Sequence, residues 1–233
     1  MHIEIGVAKV SKYATSESGD TVEMVERPHG GLSVVLVDGQ TSGRGAKIVS
    51  NIVARKAISL LGEGVRDGAA ARAAHDYLRT HRGGRVSAEL YIISADLVSR
   101  TLVISRNTHC PAIVVQRGEV RILDAESEPI GIRINTKPAI VELPIEPETY
   151  VMSASDGAMH AGSRQGKTLD MPGLMGRLAR EGLPAQAVAD ALLDAALVAE
   201  ANRPVDDVTI VIEAVLPDDV PDGARRLAVS FPV

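Results

Sequence analysis

Aromatic side chains are almost missing from this chain: they make up 2% of it, and tryptophan is absent. A core must therefore be built from Val, Ile, Leu and Ala. So few rings also leave no stacking platform for single-stranded nucleic acid. Positive charge is scarce as well. The formal net charge is −5, and the basic stripe that a phosphate-backbone binder displays is not present. Cys110 is the only cysteine, so no disulfide can form within the chain, which fits a reducing compartment. No apolar run approaches the ~18 residues needed to span a bilayer. The start, MHIEIGVAKV, alternates apolar and polar residues and lacks the apolar centre of a signal peptide. These absences predict a soluble, cytoplasmic protein with neither nucleic acid nor membrane as partner.

What is present is an aliphatic chain of 233 residues, 45% hydrophobic, long enough for one domain with a real core. β-rich runs are expected at His2–Val10, Thr21–Glu26, Leu32–Val37, Ala88–Leu97, Arg100–Ser105, Ala112–Gln116, Glu119–Leu123, Ala139–Leu143, Tyr150–Ser155 and Val208–Leu216. Short turn-rich links such as RPHGG and QRGE join several of them, which implies antiparallel pairing. Helical periodicity runs from Arg44 to Leu61, with Ile48, Ile52, Val53, Ala57 and Leu60 expected on the buried face. A second, Ala-rich helix is expected over Asp67–Arg79, and a later pair over Asp170–Arg180 and Pro184–Ala201. Strands and helix pairs are not interleaved one for one, so the order reads as an α+β layered domain, not a doubly wound parallel sheet. The Pro- and Asp-punctuated stretch 217–233 reads as a C-terminal extension to a domain spanning 1–216.

The carboxylates fall at informative places. LSVVLV ends in Asp38-Gly39, TYVMSAS ends in Asp156-Gly157, Asp206-Asp207 opens VTIVIEAV, and Asp20 precedes TVEMVE. Aspartate is disfavoured inside strands and favoured where a turn begins. Strand ends of one packed sheet can converge on one rim, and converging carboxylates repel unless a cation neutralises them. Oxygen-only ligands select hard cations such as Mg²⁺, Mn²⁺ or Ca²⁺. The same pattern is also what turn chemistry and solvated strand ends produce, so two readings stand on the residues alone.

The ordered segments SGD (Ser18–Asp20), VLVDGQTSGRGAKIVS (Val35–Ser50), AELYIISADLVSRTLVISRNTHCPAIVV (Ala88–Val115), EPIGI (Glu128–Ile132), VMSASDGAMHAG (Val151–Gly162) and PVDDVTIVI (Pro204–Ile212) resemble the metal-dependent protein phosphatases, the PPM family. The likeness is to the bacterial branch of SpoIIE, RsbX and RsbU type. It implies a four-layer αββα sandwich: two central, mostly antiparallel sheets flanked by helix pairs. It also implies two Mn²⁺ or Mg²⁺ ions. By position, Asp38 resembles the carboxylate that bridges both ions, and Gly39 the neighbour that offers its carbonyl. Asp156 and Asp206 resemble ligands of the other ion, and Asp20 the acidic residue near the first. Asp38, Asp156 and Asp206 would thus act in catalysis through a metal-activated water, and Asp207 would support them. The activity implied is hydrolysis of phosphoserine or phosphothreonine in a bacterial partner-switching or stress pathway. The partner implied is a phosphorylated signalling protein such as a STAS-domain anti-sigma-factor antagonist. The alternatives are a degenerate phosphatase-like scaffold and a hydrolase of a small phosphate ester.

Two positions depart from the wider family. Gln40 stands where many members have a His proposed as general acid, and Thr15 where many have a phosphate-holding Arg. Arg44 is a candidate to reach phosphate. His160, four residues after Asp156, is a candidate to contact substrate. His29 and His109 read as turn residues, and His75 and His81 as surface residues. Ser153 and Ser155 have no G-x-S-x-G elbow around them, and SGRGAK does not have the spacing of a phosphate-binding P-loop. Cys110 lacks the CxxxxxR context of a cysteine nucleophile, since Gln116 occupies the arginine place.

Overall fold

The computed structural model describes residues 1–217 and 223–231. The elements run β1 (His2–Val10), β2 (Thr21–Glu26), β3 (Gly31–Gly39), α1 (Gly43–Gly62), α2 (Asp67–Arg82), β4 (Ala88–Asp96), β5 (Thr101–Asn107), β6 (Ala112–Gln116), β7 (Glu119–Leu123), β8 (Ala139–Pro144), β9 (Thr149–Ala154), α3 (Asp156–Met159), α4 (Met171–Arg180), α5 (Ala185–Ala199) and β10 (Val208–Leu216). A short 3₁₀ turn covers Ser163–Gln165. The strands form two five-stranded sheets, ordered β1-β10-β9-β6-β7 and β2-β3-β4-β5-β8, and every pairing is antiparallel. This is the α+β architecture expected.

Three apolar layers hold it together. Between the sheets, Val34, Leu36, Tyr91, Ile93 and Ile104 of one meet Val114, Val151, Val211 and Val215 of the other. On the outer face of the first sheet, Ile210 and Ile212 pack under Met171 and Met175 of α4 and Val188 and Leu192 of α5. On the outer face of the second, Val35, Val37, Leu90 and Ile92 lie under α1 and α2. Strands buried on both faces read as continuous apolar runs, and β10 is buried at every position. The edge strands β7 and β8 are largely exposed. Four layers follow: helices, sheet, sheet, helices.

Two expectations need correction. Ile48 is 45% exposed; α1 buries Val53 and Ala57 as expected, and with them Ala46, Val49, Ser50, Ala54 and Leu61. Small residues let the helix backbone approach β3 closely, and that stripe lies beside the bulkier one that apolar periodicity picks out. His75 is not a surface residue: it is 2% exposed, and its Nδ1 accepts the Gly131 N–H at 3.0 Å. It shares the inward stripe of α2 with Ala71, Ala74 and Leu78. The one-turn helix α3 was not foreseen. Among the described residues, no helix is long and apolar enough to cross a membrane. Residues 223–231 contain no helix or strand, and Arg225 reaches Glu26 at the end of β2. The rest of the expected extension, 218–222 and 232–233, lies outside the described residues.

Candidate metal centre

Antiparallel neighbours bring the end of one strand beside the start of the next. Thr21 of β2 pairs with Val37 of β3, so Asp20 lies at the same rim as Asp38. Ala154 of β9 pairs with Ile210 of β10, and Ser155 continues that ladder to Thr209 at 3.0 Å. Asp156 and the Asp206-Asp207 pair therefore share one end of the β1-β10-β9-β6-β7 sheet. One contact ties the two rims together: Thr209 Oγ1 on β10 donates to Asp20 Oδ2 at 2.5 Å. The four aspartates picked out by the sequence thus gather at one end of the sandwich.

Electrostatics show how closely they gather. Burial, with repulsion from Asp20, Asp156, Glu89 and Asp206, pushes the Asp38 carboxyl up to about 10. Burial also lifts Asp20, to about 6, against the stabilising Thr209 hydrogen bond. Asp156 is raised by burial and by Asp206, while His160 pulls it back. Asp20 is fully buried, and its Oδ1 has no hydrogen-bond partner. Among the described residues, no three His, Cys, Asp or Glu side chains are grouped so as to hold a metal ion. Electrostatic coupling, not coordination geometry, defines the cluster. An all-oxygen donor set with mutual repulsion and an orphaned buried carboxylate oxygen fits a hard divalent cation.

The surrounding chain positions these groups. A Cβ on Gly39 would fall 2.2 Å from the Ala46 carbonyl oxygen of α1, and one on Gly157 would fall 2.2 Å from the Asp207 carbonyl oxygen. Both places after the aspartates therefore exclude any larger residue without a backbone shift. Asp207 braces the first loop: its carboxylate accepts the Lys12 N–H at 2.8 Å and the Gly19 N–H at 2.7 Å. Asp206 Oδ1 accepts the Asp207 N–H at 2.9 Å. α1 stitches the same loop, since Ser50 Oγ donates to the Gly19 carbonyl at 2.5 Å. Lys9 and Lys47 each donate to the Asp20 carbonyl at 2.6 Å. Burial and the nearby Lys47 bring the Lys9 ammonium down to about 8.

The other candidates separate clearly. Gln40 does structural work: its Oε1 accepts the Ser87 N–H at 2.9 Å. Thr15 is tied to its own turn through the Lys12 carbonyl at 2.7 Å. Arg44, His29 and His109 are exposed. Ser155 Oγ accepts the Thr209 N–H at 2.9 Å and donates to the Asp207 carbonyl at 3.1 Å, so it supports the ladder. Cys110 is buried, and burial pushes its thiol up to about 12. A thiol held there carries no thiolate near neutral pH.

Glu89, Lys9 and Lys47 were not singled out in the sequence. Glu89 faces Asp38 directly across the β3–β4 ladder. A single polar residue at the start of an apolar strand gives no local signal of this.

The two stacked antiparallel sheets between helix pairs, with acidic strand ends at one rim, define the fold of the PP2C-type phosphatase domains. The phosphatase domain and regulatory-domain fragment of SpoIIE from Bacillus subtilis superpose with a TM-score of 0.76 at 20% identity, over 92% of this chain and 64% of that one. The chain thus spans less than two thirds of that structure's length. The RsbU and RsbW domains of Rv1364c from Mycobacterium tuberculosis match with a TM-score of 0.73 at 17% identity, over 92% of this chain and 60% of that one. The catalytic domain of the serine/threonine protein phosphatase PstP, in complex with two manganese ions, matches with a TM-score of 0.68 at 15% identity, over 92% and 98%. A comparison with curated proteins finds no match. The family model described as stage II sporulation protein E (SpoIIE) matches residues 28–215. The chain belongs to the SpoIIE family.

Proposed function

We propose that this protein is a divalent-cation-dependent serine/threonine phosphoprotein phosphatase, with residues 1–216 as its phosphatase domain and 217–233 as an extension. The observation that carries the reading is the gathering of Asp20, Asp38, Asp156 and Asp206 at one rim, where burial first and repulsion from the other carboxylates second push the Asp38 carboxyl up to about 10. Asp38, with the Gly39 carbonyl, Asp20, Asp156 and Asp206 would hold Mn²⁺ or Mg²⁺, with two ions expected. Such ions supply positive charge that offsets the phosphoryl oxygens and makes water acidic enough to attack near neutral pH.

The chain's own residues do the positioning. Thr209 fixes one oxygen of Asp20, and Lys9 and Lys47 fix its backbone. Asp207 locks the Gly19 N–H, so the loop carrying Asp20 cannot drift from β10. No side-chain nucleophile is required, in keeping with the buried, protonated thiol of Cys110. The structure that carries RsbU and RsbW domains supports a role in partner-switching signalling, for which a cytoplasmic location is proposed. The substrate proposed is a phosphorylated signalling protein such as a STAS-domain anti-sigma-factor antagonist.

The test is phosphate release from a phosphoserine or phosphothreonine peptide in Mn²⁺, with a chelator control, for wild type and Asp38→Asn. Wild type is expected to turn over only with the ion, and the folded variant to lose nearly all activity. Chelator-resistant turnover, or a fully active variant, refutes the reading.

A further inference from the structure

Asp38 does not meet only the three aspartates that sequence position associates with it. In the β3–β4 ladder it stands directly opposite Glu89. Side chains alternate along a strand, and both residues fall on the inter-sheet face, in step with Leu36 on β3 and Tyr91 on β4. Directly opposed positions of an antiparallel pair hold their Cβ atoms about 4.5–5.5 Å apart, and like charges there are destabilising. A half-buried glutamate facing a half-buried aspartate calls for a counter-charge.

The Glu89 carboxylate is also held in place. Thr108 Oγ1 donates to its Oε2 at 2.6 Å, and the His109 N–H donates to its Oε1 at 3.3 Å. Both donors come from the β5–β6 connection. Hydrogen bonds to both oxygens fix the orientation of the carboxyl group. Each oxygen keeps a further lone pair for a ligand. A second observation points to a cation at the same rim: fully buried Asp20, whose charge acts on Asp38, has an Oδ1 with no partner.

We propose that Glu89 is a further carboxylate of the divalent-cation centre, oriented by Thr108 and the His109 backbone and acting on the ion beside Asp38. The proposal rests on the phosphatase reading above. It adds a residue of this chain's own to the aspartates, and it gives the loop 108–111, whose Cys110 and Pro111 carbonyls also accept from Tyr91, a second task at the rim.

The experiment uses the full chain and Mn²⁺ alone as probe. Calorimetric titration and Mn²⁺-dependent melting are measured for wild type, Glu89→Gln, Thr108→Val and Asp38→Asn. Removing a group that supports a metal ligand set typically weakens binding about 10- to 100-fold. Glu89→Gln is expected to weaken Mn²⁺ binding by that factor, to melt at or above the wild-type temperature in chelator, and to gain less on adding Mn²⁺. The sign reversal is diagnostic, because a merely structural glutamate would lower the melting point in both conditions. Thr108→Val, which keeps the charge and frees its orientation, is expected to weaken binding less. Glu89→Gln binding Mn²⁺ as tightly as wild type overturns the proposal. If that variant fails to fold, wild-type affinity in Thr108→Val overturns it. Failure of wild type to bind Mn²⁺, or tight binding by Asp38→Asn, overturns the underlying phosphatase reading instead.

Discussion

Glu213 offers a direct test of how this core tolerates charge. It lies in the middle of β10, opposite Ile5 on one neighbouring strand and Val151 on the other. It is 0% exposed, and neither of its carboxylate oxygens has a hydrogen-bond partner. Burial, with a lesser repulsion from Asp67, pushes its carboxyl from 4.5 up to about 8. In the unfolded chain the same group ionises near the ordinary glutamate value. The sign follows. Below about pH 4.5 both states hold the proton, and the folded state suffers no penalty. Between 4.5 and about 8 the unfolded chain releases the proton while the folded one keeps it, so stability falls as pH rises. Above that window the loss is complete. At about 1.4 kcal/mol per pH unit, the window amounts to on the order of a few kcal/mol, a large part of a typical domain's stability.

Glu213→Gln removes the titration and keeps the shape. Its buried amide adds a pH-independent cost, which displaces the whole curve without tilting it. Urea unfolding of wild type and variant from pH 5 to pH 9, in chelator so that ion binding does not contribute, isolates the effect. The raised carboxyls of Asp20, Asp38 and Asp156 tilt both curves equally. The expected result is a difference in unfolding free energy that grows in favour of Gln by a few kcal/mol across the range. Parallel curves would refute the reasoning, because they would mean that Glu213 finds a partner or water when folded.

Two further substitutions test the positioning of the site. Asp207→Ala leaves the N–H groups of Lys12 and Gly19 without their acceptor. At about 1–3 kcal/mol per unsatisfied buried group, unfolding should become easier by ~2–6 kcal/mol. Mn²⁺ affinity should fall with it, and calorimetry on the folded variant checks that. Cys110→Ala, by contrast, removes a buried thiol that stays protonated. It should lower stability by ~1–2 kcal/mol through lost packing while leaving Mn²⁺-dependent phosphate release and its pH profile unchanged.

Much of the fold was legible because its signals are local. β6, β7 and β10 begin and end where period-two and apolar runs begin and end. Asp170 caps α4 by accepting the Gly173 N–H at 2.9 Å, a short-range event that a few residues of sequence already display. The α1 face is right at Val53 and Ala57 and wrong at Ile48, because packing distance, not apolar bulk, chose the rest of the buried stripe: Ala46 and Ala54 go in and Ile48 stays out. α3 is a single turn, too short to establish a period.

The site divides along the same line. Asp38, Asp156 and Asp206 announce themselves because each closes or opens a strongly apolar run. Glu89 does not, because ordinary alternation explains a polar residue between Ala88 and Leu90. Its meaning comes from register alone. With β4 moved by one residue against β3, Glu89 would point to the α1–α2 layer and Leu90 would face Asp38, since every side chain on the strand changes face. The apolar demand of both layers forbids that slip: Leu90 and Ile92 are needed under the helices, and Tyr91 and Ile93 between the sheets. The packing of distant hydrophobic residues thus fixes which carboxylate Asp38 must face.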